Sequence, residues 1–328
     1  MADPMPGSGD VGSSVVTTVP PGWAVVALAI LGVLVVAAAM LDGALAARAG
    51  GGAPRTTVGP SGVVRPFGEA ARLMRQRRRS TVEADSLLWR VGGAGLLVTA
   101  ALMVTVVPLG EWTVFDLDVG VMWFNAMDVM VWALVWLTGW GANSTHSLVG
   151  GYRFLAHGLG YELPLMFALV APAIAAESLN VGRVAAAQDG LWFAVWMPVA
   201  FLVYLLGVAA FSVWGPFAPA VGADVAGGAR AELSGVDRLV FEAGRYALLV
   251  AGAAFAVPMF LGGGAGPLLP GWAWVLVKTV ALLAVLVWLR RRLPAFRPDK
   301  FMEVGWMVLL PAVLLQDLVV AVVAVWRS

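Results

Sequence analysis

Acidic side chains inside long apolar stretches are the residues of this sequence with the clearest potential for chemistry. In chain order they are Asp128, Glu162, Glu242 and Asp317. A carboxyl group in a membrane is costly, so such residues normally face a bundle interior or a water-filled cavity. Carboxyl groups also exchange protons across a hydrogen bond or a single water. The pattern therefore marks these acids as candidates for a functional site inside a bundle of helices.

Two basic side chains also lie within apolar stretches. Arg245 follows Glu242 by three residues, and this spacing places both side chains on one face of a helix. The plainest interpretation is an ion pair inside the membrane. Lys278 lies about halfway along a later stretch. It either extends toward the interface or faces an acid, and we expect that acid to be Asp317.

The composition excludes electron transfer by this chain alone. The chain has no cysteine, so it cannot supply thiolate ligands to an iron–sulfur cluster. His146 and His157 form no metal cluster with a nearby acid pair, and no Gly-rich dinucleotide fingerprint is present. We therefore expect no cofactor on this chain and no nucleic-acid partner. If it serves an oxidoreductase, the redox centres belong to partner proteins.

The elements that position these residues are membrane-spanning helices. Sixty per cent of the residues are hydrophobic, 12% are charged, and the mean hydropathy is +0.86. A helix needs about 20 apolar residues to cross a bilayer, and backbone polar groups find no water partners in lipid. The sequence predicts an all-α polytopic membrane protein with about eight such spans: 22–41, 88–109, 119–139, 162–180, 191–214, 238–261, 271–289 and 304–326.

The ends and loops of the chain predict its domain organisation and topology. Residues 1–21 are rich in Gly, Ser and Pro and lack a signal peptide's charged start, so we expect a disordered tail before a single membrane domain, 22–328. Seventeen of the 21 Lys and Arg residues fall in odd-numbered loops. Because positive charge accumulates on the cytoplasmic side, we expect those loops in the cytoplasm and both termini outside.

The first of these loops contains an amphipathic segment. After Pro66, apolar Phe67 and Met74 alternate with Glu69 and Arg72 at helical spacing. This pattern predicts a helix lying in the membrane interface. By itself it is more typical of a simple anchor in the lipid surface.

Three segments together resemble the complex I subunit 1 family, which in bacteria is the H subunit of the proton-pumping NADH-quinone oxidoreductase. They are Leu-Arg-Arg-Arg-Leu-Pro-Ala-Phe-Arg-Pro-Asp in 289–299, Gly-Trp-Gly-Ala-Asn-Ser in 139–144 and Tyr-Glu-Leu-Pro in 161–164. The resemblance extends from about residue 22 to the end. It implies a membrane subunit that forms part of the quinone chamber and links quinone reduction to proton translocation in a bacterial plasma membrane. It also implies quinone as substrate, other membrane and peripheral subunits as partners, and FMN and iron–sulfur clusters on those partners.

The resemblance also implies roles for individual residues. The first cytoplasmic loop carries the family's Gly-Pro-x-Gly turn as Gly59, Pro60 and Gly62, followed by Pro66. The residues expected to line the quinone site are Arg65, Glu69, Arg72 and Phe217. Glu162 is expected at the mouth of the fourth span, as the start of a carboxylate chain for protons. The alternative is an interfacial Glu without a role in proton transfer.

The fifth cytoplasmic loop departs from the family pattern. Phe211, Trp214 and Ala218 stand where the family has Glu, Arg and Asp, and Asp224 is what remains of its acidic cluster. In the next span, Arg245 replaces a Glu. The residues that we expect to be catalytic are Glu162, Asp224, Asp128 and Glu242.

Three interpretations of function follow from this altered loop. The first is a working quinone-site subunit whose proton path runs through Asp128, Glu162 and Glu242. The second is a structural paralogue without catalytic function, and the third is the homologous membrane anchor of an energy-converting hydrogenase. A secondary transporter is a remote alternative, because the spans show no paired half-helices with matching breaks.

Overall fold

The computed structural model describes residues 16–49, 62–188, 190–222 and 227–327. Within them, eight helical segments are long and apolar enough to cross a membrane, so the prediction of an all-α polytopic membrane protein is confirmed. The segments are Pro21–Arg48, Ser86–Val104, Gly120–Gly141, Thr145–Ala175, Pro198–Val221, Gly235–Phe260, Gly271–Leu289 and Pro298–Trp326.

The α-helices of the described residues are numbered in chain order. They are α1 Ala24–Ala49, α2 Arg65–Arg75, α3 Ser86–Val104, α4 Gly120–Gly141, α5 Thr145–Ala175, α6 Val181–Ala186, α7 Phe193–Trp196, α8 Pro198–Phe211, α9 Gly235–Phe260, α10 Gly271–Leu289, α11 Pro298–Val304 and α12 Leu310–Arg327. The 3-10 turns Pro21–Trp23 and Gly215–Val221 precede α1 and follow α8, and a π-helical turn, Gly305–Leu309, joins α11 to α12.

Part of the predicted N-terminal tail is folded. Strand β1, Thr17–Thr18, pairs in parallel with β2, Trp112–Thr113. Val16 is buried beside Gly182, in the turn of α6. Residues 1–15 lie outside the described part of the chain. Val16 to Val19 are held by the burial of Val16 and by backbone hydrogen bonds from Thr17 and Val19 to Glu111 and Thr113, so the expected disorder does not extend to them.

Helix α9 forms the centre of the bundle. It packs against α1, α2, α3, α8 and α10, and its apolar side chains are buried along most of its length. Helix α5 packs against α4, α8 and α12. Helices α1 and α12 lie at the periphery and expose apolar faces, as lipid-facing helices do. The bundle therefore surrounds α9, and charged residues on α9 contact several other elements.

The fourth span begins much earlier than predicted. Helix α5 is 31 residues long and includes Pro164 and Pro172. The predicted spans 119–139 and 162–180 leave the Gly-rich stretch between them in a loop. These glycines instead allow close helix packing, since a Cβ on Gly158 would collide with the Trp132 ring. Glu162 consequently lies near the middle of the span, and the prediction that it stands at the mouth is wrong.

The last span crosses α5 at a backbone-to-backbone contact. Gly305, in the π-helical turn, lies so close to the carbonyl of Gly160 that a Cβ would overlap it. No side chain can be accommodated at this crossing, because both sides are main chain. The contact fixes the height of the α11–α12 segment against α5.

We expect Gly305→Ala to destabilise the protein by about 1 to 3 kcal/mol, the usual cost of overpacking. Gly32→Ala is the matched control, since a Cβ there meets nothing within 4 Å. Thermal unfolding of the purified protein in detergent measures both. Equal melting temperatures for the two variants would contradict the close crossing.

Candidate functional site

A cavity of about 620 Å³ lies between α1, α2, α9 and the end of α10. Helix α1 contributes small apolar side chains and Asp42 to its wall, whereas α2, α9 and the residues before α9 and after α10 contribute the other charged ones. Val36 and Phe67 line the cavity and are 41% and 50% exposed, so the cavity reaches the protein surface. The charged lining residues are Asp42, Arg65, Glu69, Arg230, Arg238, Glu242, Arg245, Arg290 and Arg291.

Asp42 connects three of the helical segments that form this wall. Its Oδ2 accepts a hydrogen bond from Arg290 Nη1 at 2.7 Å, and its Oδ1 accepts one from Arg291 Nη2 at 2.7 Å. The hydroxyl of Tyr246 also donates to Oδ2, at 3.2 Å. One carboxylate therefore holds the end of α10 and the middle of α9 against α1.

Glu242 is the second carboxylate shared by two arginines. Its Oε2 lies 2.8 Å from Arg245 Nη1, and its Oε1 pairs with Arg230. Arg245 is 3% exposed and also donates to the carbonyl of Val213. The predicted Glu242–Arg245 ion pair is confirmed. A guanidinium buried this deeply requires such a partner, because an uncompensated charge there is very costly.

Trp214 supports the arginines of the cavity wall. Its ring is 4.5 Å from the guanidinium carbon of Arg290 and 5.9 Å from that of Arg245, within the range of cation–π attraction. The Tyr246 ring meets it edge-on, with centroids 4.9 Å apart. Trp214 is 1% exposed. Trp214, which by the resemblance replaces an Arg of the family, thus packs against the side chains of Arg245 and Arg290 in the cavity wall.

Helix α2 brings two of the predicted quinone-site residues to the cavity. Arg65 and Glu69 line it, whereas Arg72 does not and pairs with Glu69 at 2.6 Å outside it. Hydrogen bonds from Arg72 hold the pKa of the Glu69 carboxyl below its usual range, so Glu69 is ionised at neutral pH. Gly62 packs on Gly43 of α1, while Gly59 and Pro60 lie outside the described residues.

Phe217 lies away from the cavity. It is fully buried in an aromatic cluster whose ring centroids lie 5.1 Å away at His157, 5.6 Å at Phe296 and 4.7 Å at Phe301. This cluster joins α5 to the last interhelical loop and to α11. Phe217 therefore does not line this cavity, although it was expected to line the quinone site. Asp224 lies outside the described residues.

Asp128 on α4 and Glu162 on α5 form a separate acidic site. Their carboxyl groups are close enough to influence each other electrostatically, although neither oxygen of Asp128 has a hydrogen-bond partner among the described residues. Asp128 is fully buried, and Asn125 Nδ2 donates to Glu162 Oε1 at 3.1 Å. Glu242, the third residue of the expected proton path, is held by its two arginines instead. The structure therefore brings together two of the three acids.

Lys278 does not face Asp317, so this prediction is wrong. Its Nζ donates to the carbonyls of Leu261, Gly263 and Ala265 at 2.7, 2.9 and 2.8 Å. These carbonyls belong to the turn that follows α9, and the C-terminal end of a helix attracts cations. Asp317 is 8% exposed, and its carboxylate oxygens have no hydrogen-bond partner among the described residues.

Asp42 is the main residue of this site that was not predicted from the sequence. Arg290 and Arg291 were used only for the topology and for the family resemblance, and not as residues of a site. The sequence does show charged residues of opposite sign at the ends of the first and seventh spans, on the same side of the membrane. Predicting an ion pair from them requires knowing that α1 and α10 are neighbours.

The fold and the site define a multi-pass membrane protein with an arginine-rich cavity beside an amphipathic helix and a buried pair of carboxyl groups. Among the described residues, no group of three or more His, Asp or Glu side chains is arranged to hold a metal ion. The sequence matches the NADH dehydrogenase family over residues 22–321. The chain belongs to this family, and within it to the H subunits of complex I.

Individual relatives show how far the similarity extends. The chain is 35% identical over 273 residues to an NADH-quinone oxidoreductase H subunit of Geobacter sulfurreducens, covering 80% of this chain and 83% of the relative. It is 31% identical over 322 residues to the H subunit of Geobacillus kaustophilus, covering 93% and 97%. An H subunit of Cereibacter sphaeroides is 35% identical, covering 83% and 86%. These names do not favour the structural paralogue or the hydrogenase anchor.

We expect Glu242→Gln to cost about 3 to 5 kcal/mol of stability, because it leaves Arg245 buried without a counter-charge. The matched control is Glu303→Gln, which breaks an exposed ion pair to Lys300 with the same three-residue spacing. Exposed pairs contribute little, so the control should unfold like the wild type. Thermal unfolding in nanodiscs compares the two, and similar losses would exclude a special role for the Glu242 cluster.

Proposed function

We propose that this chain is the membrane subunit of an NADH-quinone oxidoreductase whose cavity between α1, α2 and α9 is the membrane part of the quinone chamber. The observation that carries the proposal is the position of Arg65 and Glu69. The family resemblance assigns both to the quinone site, and both line a cavity that reaches the protein surface beside the amphipathic helix.

The cavity has the chemistry that a quinone requires. Its volume of about 620 Å³ falls within the range of small-molecule sites, roughly 300 to 1,000 Å³. A quinone ring carries two carbonyl oxygens that accept hydrogen bonds, and arginine side chains around the cavity donate them. Its isoprenoid tail is apolar and matches Val35, Val36 and Ala39 of α1. Head and tail thus find different surfaces in the same cavity.

The Asp128–Glu162 pair supports a role in proton movement. Two adjacent carboxyl groups can pass a proton directly or through one water. Neither acid lines the cavity, so quinone chemistry and proton transfer would occupy separate sites in the bundle. Glu242 would then act in the cavity wall, by holding Arg230 and Arg245, and not as a proton carrier.

The proposal extends to partners and orientation. Residues 22–328 would act as one membrane domain, with FMN and iron–sulfur clusters on partner subunits, as the family resemblance implies. The chain has no cysteine with which to ligate an iron–sulfur cluster itself. The arginine-rich loops would face the cytoplasm of a bacterium and contact the peripheral subunits, with both termini on the outer side. Asp224, in one of these loops, would lie near the quinone site.

We expect Ala39→Trp to block the cavity and to lower inhibitor-sensitive NADH-quinone turnover at least tenfold, because an indole ring fills the apolar end. Ala37→Trp is the control, since Ala37 is exposed on the same helix and does not line the cavity. NADH oxidation by a water-soluble electron acceptor should stay unchanged in both variants. Full quinone turnover in Ala39→Trp would place the quinone elsewhere.

We expect Asp128→Asn and Glu162→Gln each to reduce proton translocation in sealed vesicles to a small fraction of the wild type, because an amide cannot relay a proton. Asp118→Asn is the control, as Asp118 is exposed in the loop before α4. Proton uptake is measured with a pH-sensitive dye during NADH oxidation. Normal uptake in both variants would remove the pair from the proton path.

A further inference from the structure

Helix α2 has little apolar contact to hold it against the bundle. Among its eleven residues, all of them in the described part of the chain, only Leu73 is buried. Phe67 and Met74 are 50% and 65% exposed. The position of α2, and with it the position of Arg65 and Glu69 in the cavity, therefore depends strongly on the contacts at the two ends of the helix.

The chain at the start of α2 is fixed by a close backbone contact. A Cβ on Gly62 would overlap the carbonyl of Gly43 on α1, and a Cβ on Gly43 would overlap the carbonyl of Gly62. Pro66, in the first turn of α2, lies beside the same contact. Main chain thus packs directly on main chain at this end of the helix.

The other end of α2 is joined to the start of α9 by residues 76–79 and 234–237, which form the α2–α9 junction. The backbone N–H of Arg79 donates to Ser234 Oγ at 2.8 Å. The Ser234 hydroxyl donates in turn to the carbonyl of Arg79 at 3.2 Å. One side chain therefore satisfies both backbone groups of a residue that is 155 positions away in the chain.

The start of α9 has an unusual conformation at this junction. Ser234 is the N-cap residue, and a serine there normally accepts a hydrogen bond from its own helix, but Ser234 makes no such bond. Gly235 has a φ of +58°, and a Cβ on it would lie 2.9 Å from the carbonyl oxygen of Gln76. Its N–H donates to Gln76 Oε1 at 3.3 Å. The start of α9 thus bonds to the end of α2 in place of its usual cap.

Asp237 adds a charged contact to the α2–α9 junction. Its Oδ1 lies 3.0 Å from Arg78 Nη2, and its side chain is 17% exposed. Asp237 lies in the first turn of α9, where the helix dipole favours a negative charge. The next residue, Arg238, lines the cavity, as does Leu73 near the end of α2. The junction therefore lies directly at the edge of the cavity.

We propose that Ser234 and Asp237 are positioning residues of the quinone site. They hold the end of α2 on the start of α9, and this contact fixes where Arg65 and Glu69 lie in the cavity. The inference rests on the proposed function, which assigns Arg65 and Glu69 to the quinone. Neither Ser234 nor Asp237 lines the cavity, so each acts on the quinone only through α2.

Steady-state kinetics of the complete complex test this role. We expect Ser234→Ala and Asp237→Asn each to raise the KM for quinone at least threefold and to leave kcat within twofold of the wild type. A displaced α2 weakens quinone binding, and a loss of binding that leaves the chemistry unchanged appears in KM. Asp237→Glu keeps the charge and should return the KM to within twofold of the wild type.

Asp299→Asn is the matched control for Asp237→Asn. Asp299 also lies in the first turn of a helix, α11, and it also pairs with an arginine, Arg297, at 3.0 Å. This pair is exposed and lies outside the cavity, so its loss should change neither KM nor kcat.

Hydrogen–deuterium exchange of the complex in nanodiscs measures the position of α2 without quinone. We expect amides of residues 72–79 to exchange at least fivefold faster in Ser234→Ala and in Asp237→Asn than in the wild type. The reason is that a helix end opens more often when its contacts are removed. Asp299→Asn should leave the exchange of this segment unchanged.

Unchanged exchange in both variants would overturn the proposal, whatever the kinetics. Faster exchange with an unchanged KM would also overturn it, because α2 would then move without affecting the quinone. A fall in kcat without a rise in KM would contradict it as well, since that result indicates a general structural defect. A failure of the quinone proposal appears separately in Ala39→Trp, which blocks the cavity and leaves the α2–α9 junction intact.

Discussion

The sharing of two carboxylates among four arginines is the interaction on which the cavity depends. Asp42 holds Arg290 and Arg291 against α1, and Glu242 holds Arg230 and Arg245 within the wall. The Asp42 pairs connect residues 248 and 249 positions apart in the chain, whereas the Glu242 pairs are local, with separations of 3 and 12 residues. Buried ion pairs add little net stability, but removing one partner is strongly destabilising. The Asp42 pairs therefore specify that α1 and the end of α10 meet at the cavity, and the Glu242 pairs hold two arginines in its wall.

The altered fifth loop takes on a physical meaning in this setting. Phe211 and Trp214 replace ionisable residues of the family pattern and are both buried. Trp214 lies against Arg290, and Arg245 lies against Glu242. An apolar ring and a cation thus occupy positions where the family pattern has charges of different sign. On that resemblance, the wall of this chain carries more positive charge than the family pattern implies.

The acidic pair of Asp128 and Glu162 belongs to a different part of the bundle. It lies between α4 and α5, where Asn125 also contributes a hydrogen bond, and it is absent from the lining of the cavity. Helix α5 carries Glu162 near its middle and also forms the crossing with the last span at Gly160. A shift of α5 would therefore move both the acid and this crossing. The long, glycine-rich α5 thus links the acidic pair to the last span.

How much of this could be predicted differs between the spans and the site. The number of spans, the amphipathic helix and the Glu242–Arg245 pair follow from hydropathy and from spacing along one helix. The start of α5 could not be predicted, because its glycines resemble a loop until the facing Trp132 ring is known. Lys278 was assigned to Asp317 because both appear unpaired in sequence. Three carbonyls in the turn after α9 accept hydrogen bonds from the lysine instead.

The sequence by itself determined the class of the protein, its eight membrane spans, its lack of thiolate ligands and the identity of the buried acids. These properties depend on composition and on residues close together in the chain. Only the tertiary structure decided that Asp42 meets Arg290 and Arg291, that Phe217 lies away from the cavity, and that Asp128 meets Glu162 without Glu242. Such pairings depend on which helices are neighbours and how each is rotated about its axis. A uniformly apolar helix carries little information about either.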